Sequence, residues 1–451
     1  MAARCCGFFL IVAFLASPRF ARAGNDDELF VGNEAAMVGG AISATVKDSS
    51  STWYNPAGLG AVERDQVDIS ATVYTLRLYR VPNFISATTG ESDDGAVTEF
   101  VVAPSQIAYV RRLKAGLSLG LGYFMPRSEN YVLRESLTAG RSAERSQWQI
   151  AASVAEAQHA GVAALGYAVS DRIRIGASLI GGYAASTQSA SLFGSVQQDR
   201  QPAAATSTTV IGTNSRVTLQ LGLGMQLDLT ESLVLGISLR GPELLLNDSA
   251  DSSTNAIVTS RRDPTMPVLV TSAGQLTGAH GIDLTKAGRA GLALAYRFER
   301  GWVSAEVDIQ PNLRREAIGV ERRTLVNGRV GLYYAVLPTI ALGVGLFSDR
   351  ASEVKNWEFV SGAGDFYGAT LGFEFSNEHL LAPTEPVKSL IFTSVFAIRY
   401  AHSDGNFGLT VTDPSKIETW DEDDENGPFG TKKGDLNVDE IGLYVGSGLR
   451  F

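Results

Sequence analysis

Residues 216–229, RVTLQLGLGMQLDL, keep a strict two-residue period over their whole length. Val217, Leu219, Leu221, Leu223, Met225, Leu227 and Leu229 fall on one face, and Thr218, Gln220, Gly222, Gly224, Gln226 and Asp228 on the other. Successive side chains of a strand point to opposite sides of its sheet, so this segment has one apolar wall and one polar or very small one. A helix would scatter both sets around its axis. The pattern therefore limits the chain to sheet structures that bury or lipid-solvate one face.

The same alternation recurs in AGLSLGLGY (115–123), RIRIGASL (172–179), LVLGISLRG (233–241), GRVGLYY (328–334), IALGVGLF (340–347) and IGLYVGSGLRF (441–451). In the last of these Ile441, Leu443, Val445, Leu449 and Phe451 share a face with Ser447. A soluble sandwich also alternates. Two features favour a membrane wall instead. The segments run about 9–14 residues, the length a tilted span requires, and the opposite face is crowded with Gly, Ser, Thr and Arg. No stretch after residue 23 reaches the length of apolar run that a membrane helix needs, about 18–20 residues.

Candidate strands lie near 66–80, 99–112, 115–125, 159–169, 172–186, 215–229, 232–241, 287–298, 301–310, 326–336, 339–348, 366–376, 388–401 and 439–451. A further candidate near 146–156 breaks the parity. Without it, the tight links (near 113, 171, 230, 299 and 337) collect at one end and the long ones (81–98, 126–158, 187–214, 242–286, 311–325, 349–365 and 402–438) at the other, as in bacterial barrels with short periplasmic turns. An open sheet of this size would leave two edges unpaired in lipid, so closure is expected. The predicted fold is all-β, a transmembrane antiparallel β-barrel of about 14 strands. Gly116, Gly120 and Gly122 with Pro126 either kink its third strand or are ordinary barrel bending. Phe451, in register on the apolar face of the final strand, fits a signal for the barrel assembly machinery.

Residues 1–23 read as a signal peptide: Arg4, the apolar core GFFLIVAFLA, and the small-residue site Ala21-Arg22-Ala23. Cys5 and Cys6, the only cysteines, precede that core, so a chain cut there carries no thiol and no disulfide. His159, His280, His379 and His402 lack metal-ligand spacing, and no metal or cofactor is expected. Without Arg4, Arg19 and Arg22 the 38 basic residues fall to 35 against 48 acidic ones, a net charge of −13 that argues against a nucleic-acid partner.

Residues 24–65 do not alternate. They are rich in Gly, Ala and Ser, and Asn55 before Pro56 forces a turn. Asp48 and the following serines suit the start of a short helical turn. Such a segment ahead of a barrel lies at its mouth or folds back into the lumen. The stretch GNEAAMVGGAISATVKDSSSTWYNPAGLG (32–60) resembles the amino-terminal plug of the FadL family, outer-membrane transporters of long-chain fatty acids and aromatic hydrocarbons. Ala44, Asp48, Trp53, Tyr54, Asn55, Pro56, Ala57, Gly58 and Leu59 occupy the positions of that family's motif without a gap. LVLGISLRGP (233–242) and LGVGLFSDR (342–350) are weaker echoes. The resemblance implies a plug (hatch) over 24–65 inside a barrel over 66–451. It also implies passive transport of hydrophobic compounds and no enzymatic activity, with a ligand pocket against the plug and an exit sideways through a kinked wall strand.

Several residues are candidates for ligand contact. Leu29 and Phe30 begin the plug and either reach the pocket or pack within the plug. Arg240 either meets a carboxylate head group or is one of many structural arginines. Leu244, Leu245 and Leu246, with Met266–Val270, mark an apolar patch among outer loops or continue as strand above the membrane. The acidic run Asp421–Glu425 either binds divalent ions or is solvated. The expected partners are a hydrophobic small molecule, outer-membrane lipid and lipopolysaccharide, and the chain is expected to be monomeric. The competing functions are a non-specific porin and an outer-membrane lipid-modifying enzyme using His280 or His402.

Overall fold

The computed structural model describes residues 29–86, 92–141, 144–198, 201–259, 268–278, 283–318, 320–352, 361–380, 389–412 and 429–451. The signal-peptide expectation, His280 and the acidic run 421–425 lie outside them.

The strands are β1 (Gln66–Ser86), β2 (Ser92–Lys114), β3 (Leu117–Arg141), β4 (Glu144–Ala168), β5 (Ile173–Gln198), β6 (Gln201–Asp228), β7 (Leu233–Arg240), β8 (Glu243–Thr259), β9 (Val268–Gly278), β10 (Asp283–Lys286), β11 (Arg289–Phe298), β12 (Gly301–Gln310), β13 (Leu313–Arg315), β14 (Val320–Arg322), β15 (Leu325–Leu337), β16 (Ile340–Asp349), β17 (Ser361–Leu380), β18 (Ser389–Thr412) and β19 (Phe429–Arg450). Fourteen of them, β1–β7, β11, β12 and β15–β19, pair with their neighbours all the way round, and β1 closes antiparallel on β19. Closure gives every wall strand a partner on both sides in the lower barrel.

The apolar face of each alternating segment points outward. Leu221 and Leu223 on β6, Leu292 on β11, Leu346 on β16 and Leu371 on β17 are each more than half exposed, while Thr218 and Gln226 face inward and are buried. Exposed aromatic rings bracket this belt. On β17, Tyr367 and Phe375 stand eight residues apart, and on β18 so do Tyr400 and Phe392. Eight residues span about 26 Å along a strand, which fits an apolar band flanked by aromatic girdles.

The tight connections gather at one end, around residues 115–116, 169–172, 229–232, 299–300 and 338–339. At the other end the strand limits differ from the sequence reading. The segments 126–158 and 187–214, read as loops, are strand: β3 and β4 rise 25 residues each, β5 26 and β6 28, joined through 142–143 and 199–200. The candidate near 146–156 is the upper half of β4, so the count of fourteen stands. Above the apolar belt the outward side faces water and the inward side no longer faces the Gly-rich lower lumen. The membrane pattern of apolar-out and small-in is therefore lost although the strand continues.

That upper half reverses its polarity. On β4 Arg145, Gln147 and Gln149 are exposed outward, and Trp148, Ile150 and Val154 are buried inward. Leu133 and Leu137 of β3, Leu192 of β5, Val81 and Phe84 of β1, Val97 of β2 and Val438 of β19 join them in one apolar cluster inside the upper bore. The opposite wall is low: β7, β11, β12 and β16 have 8 to 10 residues each. β7 stops before Gly241-Pro242, where the missing N–H of Pro242 suits the end of a ladder. The chain then climbs as β8, which pairs with the upper half of β6 while β7 pairs with its lower half.

Candidate functional site

Residues 29–62 fold inside the lower barrel. They comprise a short helix (Asn33–Met37), a second (Ser51–Tyr54) and a 3-10 turn (Pro56–Ala61), almost all buried. The segment is held from around the wall. Tyr444 donates to Asn33 Oδ1 at 3.0 Å, and Thr370 to the Met37 carbonyl at 2.9 Å. Glu306 accepts both the backbone N–H and the hydroxyl of Ser43, at 3.1 and 2.7 Å. Gln226 donates to the Val46 carbonyl at 3.0 Å, and Gln106 to Ser49 Oγ at 2.7 Å. These five wall residues come from five strands.

Asn55-Pro56-Ala57 forms the joint of this segment. Asn55 is extended (φ −153°, ψ 101°), as a residue before proline prefers, and Pro56 opens the 3-10 turn. Both ends of the Asn55 amide are used. Oδ1 accepts from the Ala57 N–H at 3.2 Å, and Nδ2 donates to the carbonyls of Ser43 at 2.8 Å and Met225 at 3.2 Å. One side chain thus ties two parts of the plug to the wall. Asp48 acts slightly upstream of the expected cap: Oδ1 accepts from the N–H of Ser50 at 3.0 Å and from its hydroxyl, which sets the start of the Ser51–Tyr54 helix. Trp53 lies 5.3 Å from Phe124, and Tyr54 beside it is half-buried.

The inward glycines of the wall mark where the plug touches. A Cβ on Gly176 would lie 2.3 Å from the Pro56 carbonyl, one on Gly224 2.0 Å from Asn55 Oδ1, and one on Gly345 2.1 Å from the Val38 carbonyl carbon. Gly58, within the motif, is equally confined, with the Val46 oxygen 2.2 Å from the position of a Cβ. The small residues of the alternating strands are thus the floor on which the plug rests.

The wall has a seam. β2 pairs with β3 only from Gln106–Phe124 down to Lys114–Leu117, and above that height no β2–β3 ladder occurs among the described residues. The break coincides with a bulge at Met125-Pro126, where β3 shifts register against β4. Of the two readings for this strand, the kink holds at Pro126, which cannot donate to a ladder, and pairing to β2 ends beside it. Side chains bridge the seam instead. Arg77 donates to the Ser128 carbonyl at 3.2 Å, the Asn130 N–H donates to Glu99, and the Ala96 N–H donates to Glu135 at 3.0 Å. From inside, the Leu29 N–H donates to the Pro126 carbonyl at 2.9 Å, and the Leu29 side chain packs with Val101, Ala103 and Met125.

No family model matches the chain, and no curated protein does. Solved structures do match in shape. A Pseudomonas aeruginosa FadL homologue superposes with a TM-score of 0.57 at 11% identity, over 95% of this chain and 99% of that one. The Pseudomonas putida toluene transporter TodX gives 0.55 at 12% identity, covering 94% and 99%, and the Ralstonia pickettii toluene transporter TbuX gives 0.52 at 12%, covering 94% and 99%. The fold is that of the FadL-type channels.

Within this FadL-type fold, the first described residues of the plug meet the lumen at a compact aromatic and ionic contact. Phe30 packs edge-on against Phe347 with ring centroids 4.9 Å apart. Arg399 lies over both rings, 5.0 Å from the Phe30 centroid and 4.6 Å from that of Phe347, and pairs with Glu440 at 3.3 Å. Leu29, Phe30, Ala397, Arg399, Glu440 and Tyr444 surround a cavity of about 20 Å³, roughly the room of one water.

The other candidate residues are dispersed. Arg240 faces the lumen, but the plug engages its guanidinium: Nη2 donates to the Trp53 carbonyl at 2.7 Å and Cζ lies 4.4 Å over the Trp53 ring. Leu244–Leu246 lie in β8, so the strand alternative holds for them. Only Leu245 is buried, and Leu246 is 49% exposed on the outside. His402 projects from β18 between Asp404 and Asp439, whose nearest oxygens are 3.3 and 2.9 Å away. Among the described residues no group of His, Cys, Asp and Glu has metal-binding geometry. Arg77, Glu99, Phe347, Arg399 and Glu440 were not singled out in the sequence. Arg77, Glu99, Arg399 and Glu440 are charges at inward positions of alternating strands, a signal that was there to be read.

Below the plug, at the turn end, a cavity of about 610 Å³ is lined by Glu34, Lys47, Asp48, Asp68, Glu374 and Arg450, among others. Burial there, with the like charge of Asp48 beside it, pushes the Glu34 carboxyl of the plug up to about 8.

Proposed function

We propose that the protein is an outer-membrane channel for the passive uptake of hydrophobic compounds, with its turn end in the periplasm. The observation that carries this reading is the reversed polarity of the upper bore. A strand wall standing in water turns Trp148, Ile150, Leu133 and Leu192 inward above a plugged lower lumen. A dry lining accepts apolar surface that crosses a polysaccharide-covered leaflet poorly. The fold shared with a FadL homologue and with two toluene transporters supports it.

In this reading a ligand descends the apolar bore to Phe30 and Leu29. Withdrawal of these two residues widens the small cavity and uncovers the seam between β2 and β3, which gives a sideways exit. The plug motif Asp48, Trp53, Tyr54, Asn55, Pro56, Ala57 and Gly58 holds the gate's shape and performs no chemistry. One chain closes its own barrel, which fits a monomer assembled through its C-terminal strand and Phe451.

A non-specific porin would leave its lumen open, whereas residues 29–62 fill this one. An enzyme built on His402 would need a nucleophile beside it, and the ring is flanked by two carboxylates on the outer face. The test is uptake of a radiolabelled apolar compound by cells making the intact protein. Uptake above that of cells without it is expected, and equal uptake overturns the reading.

A further inference from the structure

Beside the small cavity behind Phe30 lies a continuous buried ionic network. Arg399 pairs with Glu440, Glu440 with Arg77 at 2.7 Å, and Arg77 with Glu99 at 3.4 Å. Tyr79 donates to Glu99 at 2.6 Å. Glu129, within electrostatic reach of Arg77 and Glu99, pairs with Arg127 at 3.2 Å, and Arg127 with Glu156 at 3.3 Å. No charged side chain in this set is more than 17% exposed. Among the described residues of this network, three guanidinium groups therefore face four carboxylates.

We infer that this site selects uncharged apolar molecules and rejects carboxylates, so that the network acts as a charge filter at the plug apex. The inference rests on the transport reading and names its substrate class. An arginine awaiting a ligand carboxylate would be a cation with its charge uncompensated. Here Arg399 is balanced by Glu440 and covered by two aromatic rings, and Arg77 lies between Glu440 and Glu99. A ligand carboxylate placed beside Arg399 becomes the fifth acid in a water-poor site with three bases. It must either break the Arg399–Glu440 pair, leaving Glu440 partly uncompensated, or remain unpaired itself, and both are costly in a buried setting. A neutral molecule meets Leu29, Phe30, Ala397 and Tyr444 without disturbing any pair. Tyr79 and Tyr131, with centroids 5.0 Å apart, pack against the apolar cluster of the upper bore, and Tyr79 also bonds to the network, so the apolar route leads directly over the filter.

The test compares two probes of equal chain length, 1-decanol and decanoate, binding to the purified full-length protein at pH 7.5, where decanoate is ionised. Decanol is expected to bind about tenfold or more tightly than decanoate. Glu440→Gln is expected to narrow that ratio by about tenfold through tighter binding of decanoate, and Glu156→Gln, farther from the aromatic contact, to narrow it less. The wild-type comparison needs no variant, so misfolding of Glu440→Gln leaves the inference testable. Equal binding of the two probes, or tighter binding of decanoate, overturns the charge filter alone. Binding of neither overturns the transport reading and the filter with it.

Discussion

The lower and upper halves of the lumen are built from the same strands and have opposite interiors. In β4, Gly166 near the turn end gives way so closely that a Cβ would lie 2.5 Å from the Pro56 carbonyl oxygen. Eighteen residues earlier on the same inward face stands Trp148, fully buried among Leu133, Leu137 and Leu192. Below, the wall is cut back to admit a folded segment and hold it by hydrogen bonds. Above, the wall supplies the bulk itself, with apolar side chains on β3–β5 beside buried polar ones such as Thr206, Thr208 and Asn214 on β6. The two regions differ in what fills them: the lower lumen holds a folded segment, and the upper lumen carries an apolar cluster supplied by the wall.

Removing the stopper should change the molecule most. Deletion of residues 24–60 is expected to turn a barrel with almost no conductance in a planar bilayer into a steady open pore. A deletion variant as silent as the intact protein would show that the wall closes itself. Charging the upper path should matter next. Trp148→Lys places an unpaired cation in the apolar cluster and is expected to cut uptake of a neutral apolar probe by about tenfold or more while conductance stays low. The same change at Gln147, which points outward from the same strand, should leave uptake unaltered.

A subtler contrast separates the glycines. Gly176→Val drives a side chain into the Pro56 carbonyl and is expected to cost about 1–3 kcal/mol of plug stability, read by protease access to residues 29–62. Gly161→Val has nothing within 4 Å of its Cβ and should be silent. The pH effect should be the smallest, because Glu34 is only half-buried and lines a water-accessible cavity, where solvent screens much of its shift. The folded Glu34 carboxyl stands at about 8 against an ordinary 4.5, so its contribution is fully present below pH 4.5 and is lost as pH rises through about 8. The plug should loosen across that window in hydrogen exchange. Glu34→Gln should flatten the dependence, and an unchanged slope would assign it to other groups.

The strands were legible in the lower half because lipid imposes apolar residues on one face, as in Val217 to Leu229, and packing against the plug imposes small ones on the other. In 127–157 water replaces lipid outside and the sign reverses, so apolar-out alternation is absent there, and the candidate near 146–156 stands out in the sequence only as one that breaks the parity. Asn55-Pro56 announced a turn through backbone geometry alone. Its bonds to Ser43 and Met225 were not legible, since nothing local to residue 55 encodes a partner 170 positions away. Arg240 shares its strand face with Gly236 and Ser238 in the sequence, but its partner, the ring and carbonyl of Trp53, depends on how the plug sits. The seam was hinted at by Pro126 within a strand, and glycine-rich neighbours made bending the simpler reading.

In the proposed route the start of the plug must leave the seam for an apolar molecule to pass. Leu29 and Met125 share one small cluster there, and the only native cysteines are Cys5 and Cys6, within the expected signal peptide, so a Leu29→Cys/Met125→Cys pair can be locked and released in isolation. With the disulfide verified by mass, uptake of a neutral apolar probe by cells making the variant should stop and should return on reduction. Uptake that continues unchanged through the locked protein would contradict the claim.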